Sequence, residues 1–253
     1  MGHSAMKFED LYYEEITKES YLEMIELCKW LNEVYGYHPV IIGGWAVHFH
    51  YPTLGSRDID ILFSERRLKH IVIDQYLNTH GYQSEGLFTK EYFKEIKTKT
   101  GIERIIIDAC SVEDVNRMKG TDIIIPWALA FEHQKSIKTE NVELYIPNVE
   151  VLLLFKSKAV LDRMEDLKET FDPFYLQQKI LKDYYDIVNL IINCEININL
   201  LNDLLSTHNF FDYFISVCEM IETKKEIPDR YKNWKKREIE LVNKLKSGHS
   251  NEN

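Results

Sequence analysis

The sequence predicts an α/β half followed by an all-helical half, divided near Pro147. Three observations predict it. Up to Ile146, short apolar runs bounded by glycine or other turn residues alternate with segments of helical period. Two pairs of those runs are separated by turn-forming residues, as in hairpins. After Pro147 the apolar residues recur only at helical spacing.

The elements follow in order. Tyr21, Met24, Ile25, Cys28, Leu31 and Val34 share a helical face between Lys18 and Tyr35, and Gly36 suits the end of that helix. Val40 to Ile42 reads as a buried strand that stops at a tight turn, Gly43-Gly44. Trp45 to Tyr51 is a short helix and Pro52 to Gly55 a loop. Ile59 to Phe63 is the next strand, and Glu65 to Thr79 a helix closed by Gly81. Tyr92 to Thr98 and Glu103 to Ala109 form a hairpin turning near Gly101. A second hairpin runs from Glu132 to Ile146 and turns at Glu140-Asn141. Helices are predicted over Val149 to Lys168 and Phe174 to Asn193, broken by Phe171-Asp172-Pro173, and over the rest up to Lys246.

The opening MGHSA reads as an addition ahead of a native Met6. That leaves an α/β domain over 6–147, a helical domain over 148–247 and a polar tail over 248–253. At 253 residues the chain can bury a substantial core. No apolar run reaches the roughly 18 residues of a membrane span, and no secretory signal is seen, so a cytoplasmic protein is expected. Cys28, Cys110, Cys194 and Cys218 are scattered without metal spacing and read as reduced, buried thiols. The net charge of -10 argues against a general grip on nucleic-acid phosphates.

Chemistry concentrates in Gly43 to Phe63, GGWAVHFHYPTLGSRDIDILF. On a strand, Asp58 and Asp60 share one face while Ile59, Ile61 and Phe63 point into the core. Two adjacent carboxylates repel unless a cation lies between them, and Mg²⁺ favours oxygen ligands shared with phosphates. Gly43 and Gly44 stand between a strand and a helix N-terminus, where backbone can approach a phosphate closely. In RIIIDA, from Arg104 to Ala109, Asp108 shares a face with Ile106 and Arg104 and ends an apolar run. A metal shared with Asp58 and Asp60 would compensate its charge. Asp114, beyond that strand, is the weaker rival.

A double glycine, a spacer, a DxD pair and a later strand Asp resemble the polymerase-β nucleotidyltransferase superfamily. The resemblance implies that Asp58, Asp60 and Asp108 are catalytic and bind Mg²⁺ or Mn²⁺. It also implies that Asp108 serves as the base for an acceptor hydroxyl. Gly43, Gly44 and Ser56 would contact the triphosphate of an NTP such as ATP. The helical half is similar to that of the abortive-infection toxin nucleotidyltransferases, in LLLFKSKAVLDR (Leu152 to Arg163) and KDYYDIVNL (Lys182 to Leu190). By that likeness Lys156, Arg163 and Asp183, with Asp186 beside it, line the nucleotide pocket in a cleft between the halves. Where many relatives carry Pro-Arg in the spacer, this chain has Pro52-Thr53, so no arginine is assigned there.

Other features read as structural. His48 and His50 lack a third nitrogen or sulfur ligand nearby and suit packing. Phe210, Phe211, Tyr213 and Phe214 suit a helix core. The basic residues from Lys224 to Lys246 suit a solvated face, with a tRNA contact as the lesser reading. Lys156 competes with Lys158, and an intrahelical Lys182–Asp186 pair is the plain alternative for that motif.

The expected fold is therefore α/β (α+β): a small mixed sheet flanked by helices, then a helical bundle. The expected activity is transfer of a nucleoside monophosphate from an NTP to a hydroxyl acceptor, a small molecule or RNA, with release of pyrophosphate. A catalytically degenerate nucleotide- or partner-binding module is the alternative.

Overall fold

A computed structural model describes residues 14–84, 91–99, 101–224 and 233–249. The fold is mixed α/β. Of these residues, those up to Asp114 together with Trp127–Pro147 form one compact unit. Val115–Pro126 and the residues from Asn148 onward form a second.

The first unit opens with helix α1 (Glu14–Tyr35). Ile16, Met24, Leu27, Cys28 and Leu31 recur on one side and are fully buried. Gly36 ends it at φ 58°, its N–H bonding Asn32 O at 3.0 Å. Asn32 also clamps the sheet, donating to Glu143 O (3.0 Å) and accepting from Glu143 N (2.9 Å). Strand β1 (Val40–Ile41), helix α2 (Gly43–His50), strand β2 (Asp58–Phe63) and helix α3 (Arg66–Val72) follow. The single helix expected over Glu65 to Thr79 changes to a π-helical turn at Ile73–Leu77, so its second half winds differently from its first.

Strands β3 (Gln83–Ser84), β4 (Glu91–Thr98) and β5 (Gly101–Ser111), helix α4 (Leu129–Glu132), and strands β6 (Gln134–Thr139) and β7 (Val142–Pro147) complete the unit. The seven strands form one sheet in the order β3-β4-β5-β2-β1-β7-β6. It is mixed: β2 runs parallel to β5 and β1 to β7, whereas the other neighbours are antiparallel. Glu140 (φ 48°) and Asn141 (φ 64°) make the β6–β7 turn, both left-handed as a two-residue hairpin turn requires. Glu132 belongs to α4, not to that hairpin. Ile41, Ile59, Ile61, Ile107 and Leu144 are fully buried, each worth roughly 1.5–3 kcal/mol of apolar burial.

The second unit holds helices α5 (Val149–Asp166), α6 (Pro173–Asn193), α7 (Ile198–Thr207), α8 (Phe211–Glu222) and α9 (Trp234–His249). Asp172 caps α6 by accepting from Tyr175 N at 3.0 Å, with Pro173 in the first turn. Asn197 caps α7 in the same way, and its own N–H donates to Glu150 on α5 at 2.6 Å. The stretch Val115–Pro126 is fastened to α5 through Lys119, whose N–H reaches Asp162 (2.8 Å) and whose ammonium reaches Asp166 (2.5 Å). Leu152, Leu201, Phe210, Phe214, Trp234 and Leu245 are fully buried, so the Phe210 to Phe214 cluster is mainly core. The last helix passes Lys246, where the sequence pattern ends it, and reaches His249. No helix of the described residues is long and apolar enough to cross a membrane.

Candidate active site

Strand β2 carries Asp58 and Asp60 on its accessible face, with Ile59 and Ile61 buried between and behind them. On the neighbouring parallel strand, Asp60 pairs in register with Asp108 and Asp58 with Ile106. The third carboxylate therefore stands directly across the ladder from the second. Asp108 does not end β5, as the sequence pattern suggests, because the strand continues to Ser111. Cys110, on the same face, turns its thiol toward Asp108 Oδ1 at 3.7 Å.

On the other side of Asp60 lies the glycine pair. Gly43 and Gly44 form the first turn of α2 rather than a turn ahead of it. Ile42 N–H bonds Asp60 O at 3.0 Å, which seats the helix start against β2. Gly43 has φ 65°, and a Cβ there would lie 1.8 Å from Asp60 Oδ2. The absent side chain is thus the space the carboxylate occupies. No side chain caps this helix N-terminus and its first turn holds no acid. With Gly43 against Asp60, the positive dipole end of α2 lies beside that carboxylate. Ser56 is buried and accepts from Asp58 N at 3.3 Å, so its hydroxyl holds the loop that leads into β2.

The rival Asp114 has a different task. Its carboxylate accepts from Ser111 N (2.9 Å) and pairs with Lys69 (2.7 Å) and Arg66 (3.5 Å), closing the turn after β5.

The register also reveals neighbours that the sequence pattern did not single out. Glu91 on β4 pairs with Asp108, so Glu91, Asp108 and Asp60 form a row across three strands. Phe93, Ile106 and Asp58 form the next row. Arg104 lies 4.1 Å over the Phe93 ring and pairs with Glu95 at 3.3 Å. The outward alternation of Glu91, Phe93 and Glu95 was a legible signal; their alignment with the aspartates was not.

The donor set is of the chemical kind that a hard divalent cation takes. It is all oxygen, from Asp58, Asp60 and Asp108 on one face, beside a helix end that a phosphate could neutralise. As the side chains lie, no three His, Cys, Asp or Glu groups among the described residues stand close enough together to chelate an ion. Backbone register sets their common face.

Lys156, Arg163, Asp183 and Asp186 come together within the second unit. Lys156 competes with Lys158 for the nucleotide-pocket role, with a surface position the plain alternative for both; both are buried. Lys156 pairs with Asp183 (2.9 Å) and Asp186 (2.7 Å), Arg163 pairs with Asp183, and Lys182 pairs with Asp186. Lys158 instead pairs with Asp162 at 2.5 Å. The Lys182–Asp186 pair is thus real, but it is one edge of a buried network of five charges. Burial alone would raise the Asp183 pKa; Arg163 and Lys156 outweigh it and hold the carboxyl below its usual range. Burial likewise opposes the charge of Lys156, and Asp183 with Asp186 more than offsets it. For Lys182 burial wins and lowers the pKa.

The two histidines are tied into loops of the first unit. His48 Nδ1 accepts from Thr53 N at 3.1 Å. His50 Nε2 donates to Pro147 O at 2.8 Å, and Lys135 reaches His50 Nδ1 at 3.1 Å. Burial, partly countered by the Pro147 bond and reinforced by Lys135, lowers the His50 pKa to about 4.

No protein-family model matches the chain, and no curated protein matches it. Among solved structures it is similar to the crystal structure of an antigenic nucleotidyltransferase-like protein from Paracoccidioides brasiliensis. The two are 11% identical with a TM-score of 0.46, over 82% of this chain and 94% of that one. At that level the likeness assigns no residue a role.

Proposed function

We propose that the chain is a metal-dependent nucleotidyltransferase, moving a nucleoside monophosphate from an NTP to a hydroxyl acceptor. One observation carries the reading: Asp60 stands between its register partner Asp108 and the side-chain-free Gly43 that opens α2. Carboxylates for a cation and backbone N–H groups for a phosphate thus adjoin on a single residue.

Asp58, Asp60 and Asp108 would hold Mg²⁺ or Mn²⁺. When bound, the ion neutralises phosphate oxygens and lowers the pKa of an attacking hydroxyl. Gly43 and Gly44 receive the triphosphate at the start of α2 and orient it along β2. Ser56 keeps Asp58 at the mouth of the strand. The acceptor oxygen bonds to the α-phosphorus, the bond to the bridging oxygen breaks, and pyrophosphate leaves with that electron pair. Asp108 takes up the acceptor proton, since it lies on the side of Asp60 away from the glycines. The proposal rests on the carboxylates and glycines. Around Lys156, three cations (Lys156, Arg163 and Lys182) pair with two carboxylates (Asp183 and Asp186).

The test is calorimetric titration of each of the four NTPs, with and without Mg²⁺, into the wild type and an Asp58→Ala/Asp60→Ala variant. Binding that needs both the ion and the two acids is the expected result. Absence of metal-dependent binding for every NTP overturns the proposal.

A further inference from the structure

A cavity of about 470 Å³ lies in the first unit, between α1, α2 and the loop from α2 to β2. Its walls are Lys18 and Tyr21 from α1, Trp45 and His48 from α2, and Leu54 and Gly55 from the loop. Tyr21 and His48 each stand 5.4 Å from the Trp45 ring, centroid to centroid, and both rings are tilted against it. The aromatic walls are held in place. Trp45 Nε1 donates to Ser20 Oγ at 3.2 Å, and Tyr21 OH is bonded to Thr139 at 3.2 Å.

The polar groups at this cavity point to an anion. Lys18 is exposed and makes no ion pair among the described residues. Among the described residues no carboxylate lines the cavity, although the chain as a whole is acidic, with net charge -10. Aromatic walls with a lysine at the rim suit a planar aromatic ligand bearing one anionic group.

The loop wall also connects to the carboxylates. Gly55 sits on Trp45 so closely that a Cβ would fall 2.9 Å from the ring, and the next residue, Ser56, holds the N–H of Asp58. We propose that this cavity binds a planar aromatic anion and that its occupancy stiffens the loop leading into Asp58. The proposal is independent of the nucleotidyl-transfer reading.

The test titrates the full chain with 1-anilinonaphthalene-8-sulfonate, followed by its emission. N-phenyl-1-naphthylamine serves as the same ring system without the sulfonate. The expected result is one saturable site for the sulfonate and binding of the neutral analogue weaker by roughly tenfold. Lys18→Glu, at an exposed position, should weaken the sulfonate by a similar factor, about one charge-assisted hydrogen bond. Leu54→Trp should abolish the site by filling it. Hydrogen exchange of the peptide spanning 55–60 should slow when the sulfonate is bound. Equal binding of the two probes, or an affinity unchanged by Lys18→Glu, overturns the site. Unaltered exchange at saturation overturns the link to Asp58.

Discussion

Gly43 and Asp60 share one volume: the carboxylate of Asp60 fills the place where a side chain on residue 43 would be. Gly43→Ala therefore meets two penalties at once, a clash at 1.8 Å and a φ of 65° that side chains resist. The expected loss is about 1–3 kcal/mol of stability, with metal-dependent NTP binding abolished. Urea denaturation measures the first and calorimetry the second. Retention of full NTP affinity in a folded variant would contradict the arrangement.

Asp108 and Asp114 give a sharper contrast. Asp108→Asn should lower Mg²⁺-dependent NTP affinity by at least roughly tenfold while leaving stability nearly unchanged. Asp114→Asn should do the reverse. It weakens the contacts to Ser111 N, Lys69 and Arg66, at a cost of about 1–3 kcal/mol. Measuring both quantities on both variants decides between the two acids.

Lys156→Met tests the buried network. Removing this ammonium leaves Asp183 and Asp186 with less compensation in a buried setting, which costs on the order of 3–5 kcal/mol. The pH dependence follows from Asp183, whose folded pKa lies below the ordinary 3.8. Its stabilisation is present above 3.8 and is lost as pH falls through the lower folded value. A thermal melt of Lys156→Met that matched the wild type would show that the pairs contribute nothing net.

His50 should make stability fall on mild acidification. Its folded pKa, near 4, lies below the usual 6.5, so between those values the unfolded chain binds the proton more readily. The contribution is fully present above pH 6.5 and is lost as pH falls toward 4. After a discount for partial exposure it amounts to about 1–2 kcal/mol. Urea midpoints at pH 7.5 and pH 4.5, for the wild type and His50→Asn, should show that difference shrinking in the variant.

The accessible and buried alternation of β2 was already present in Asp58-Ile59-Asp60-Ile61, because side chains two apart on a strand must share a face. The Glu140-Asn141 turn, the Gly36 stop and the change of character after Pro147 were legible for similar reasons. Each depends on backbone preferences acting over a few residues. Two readings went astray at element ends: Asp108 as a strand terminus, and the glycine pair as a turn before α2. Hydrogen bonding to neighbouring strands extends β5 past the apolar run, and the Ile42–Asp60 bond draws the glycines into the helix.

The sequence by itself thus determined most of the elements, the facing pattern of β2 and the chemical types gathered at the candidate site. Only the tertiary structure decided that Asp108 stands opposite Asp60 and that Glu91 joins their row. It also decided that Asp114 is bound to Lys69 and that Lys156 reaches across to α6. The physical reason is range. Periodicity and turn propensity act locally along the chain, whereas strand register and buried charge pairing are set by segments far apart in sequence, and a shift of one residue would change every partner.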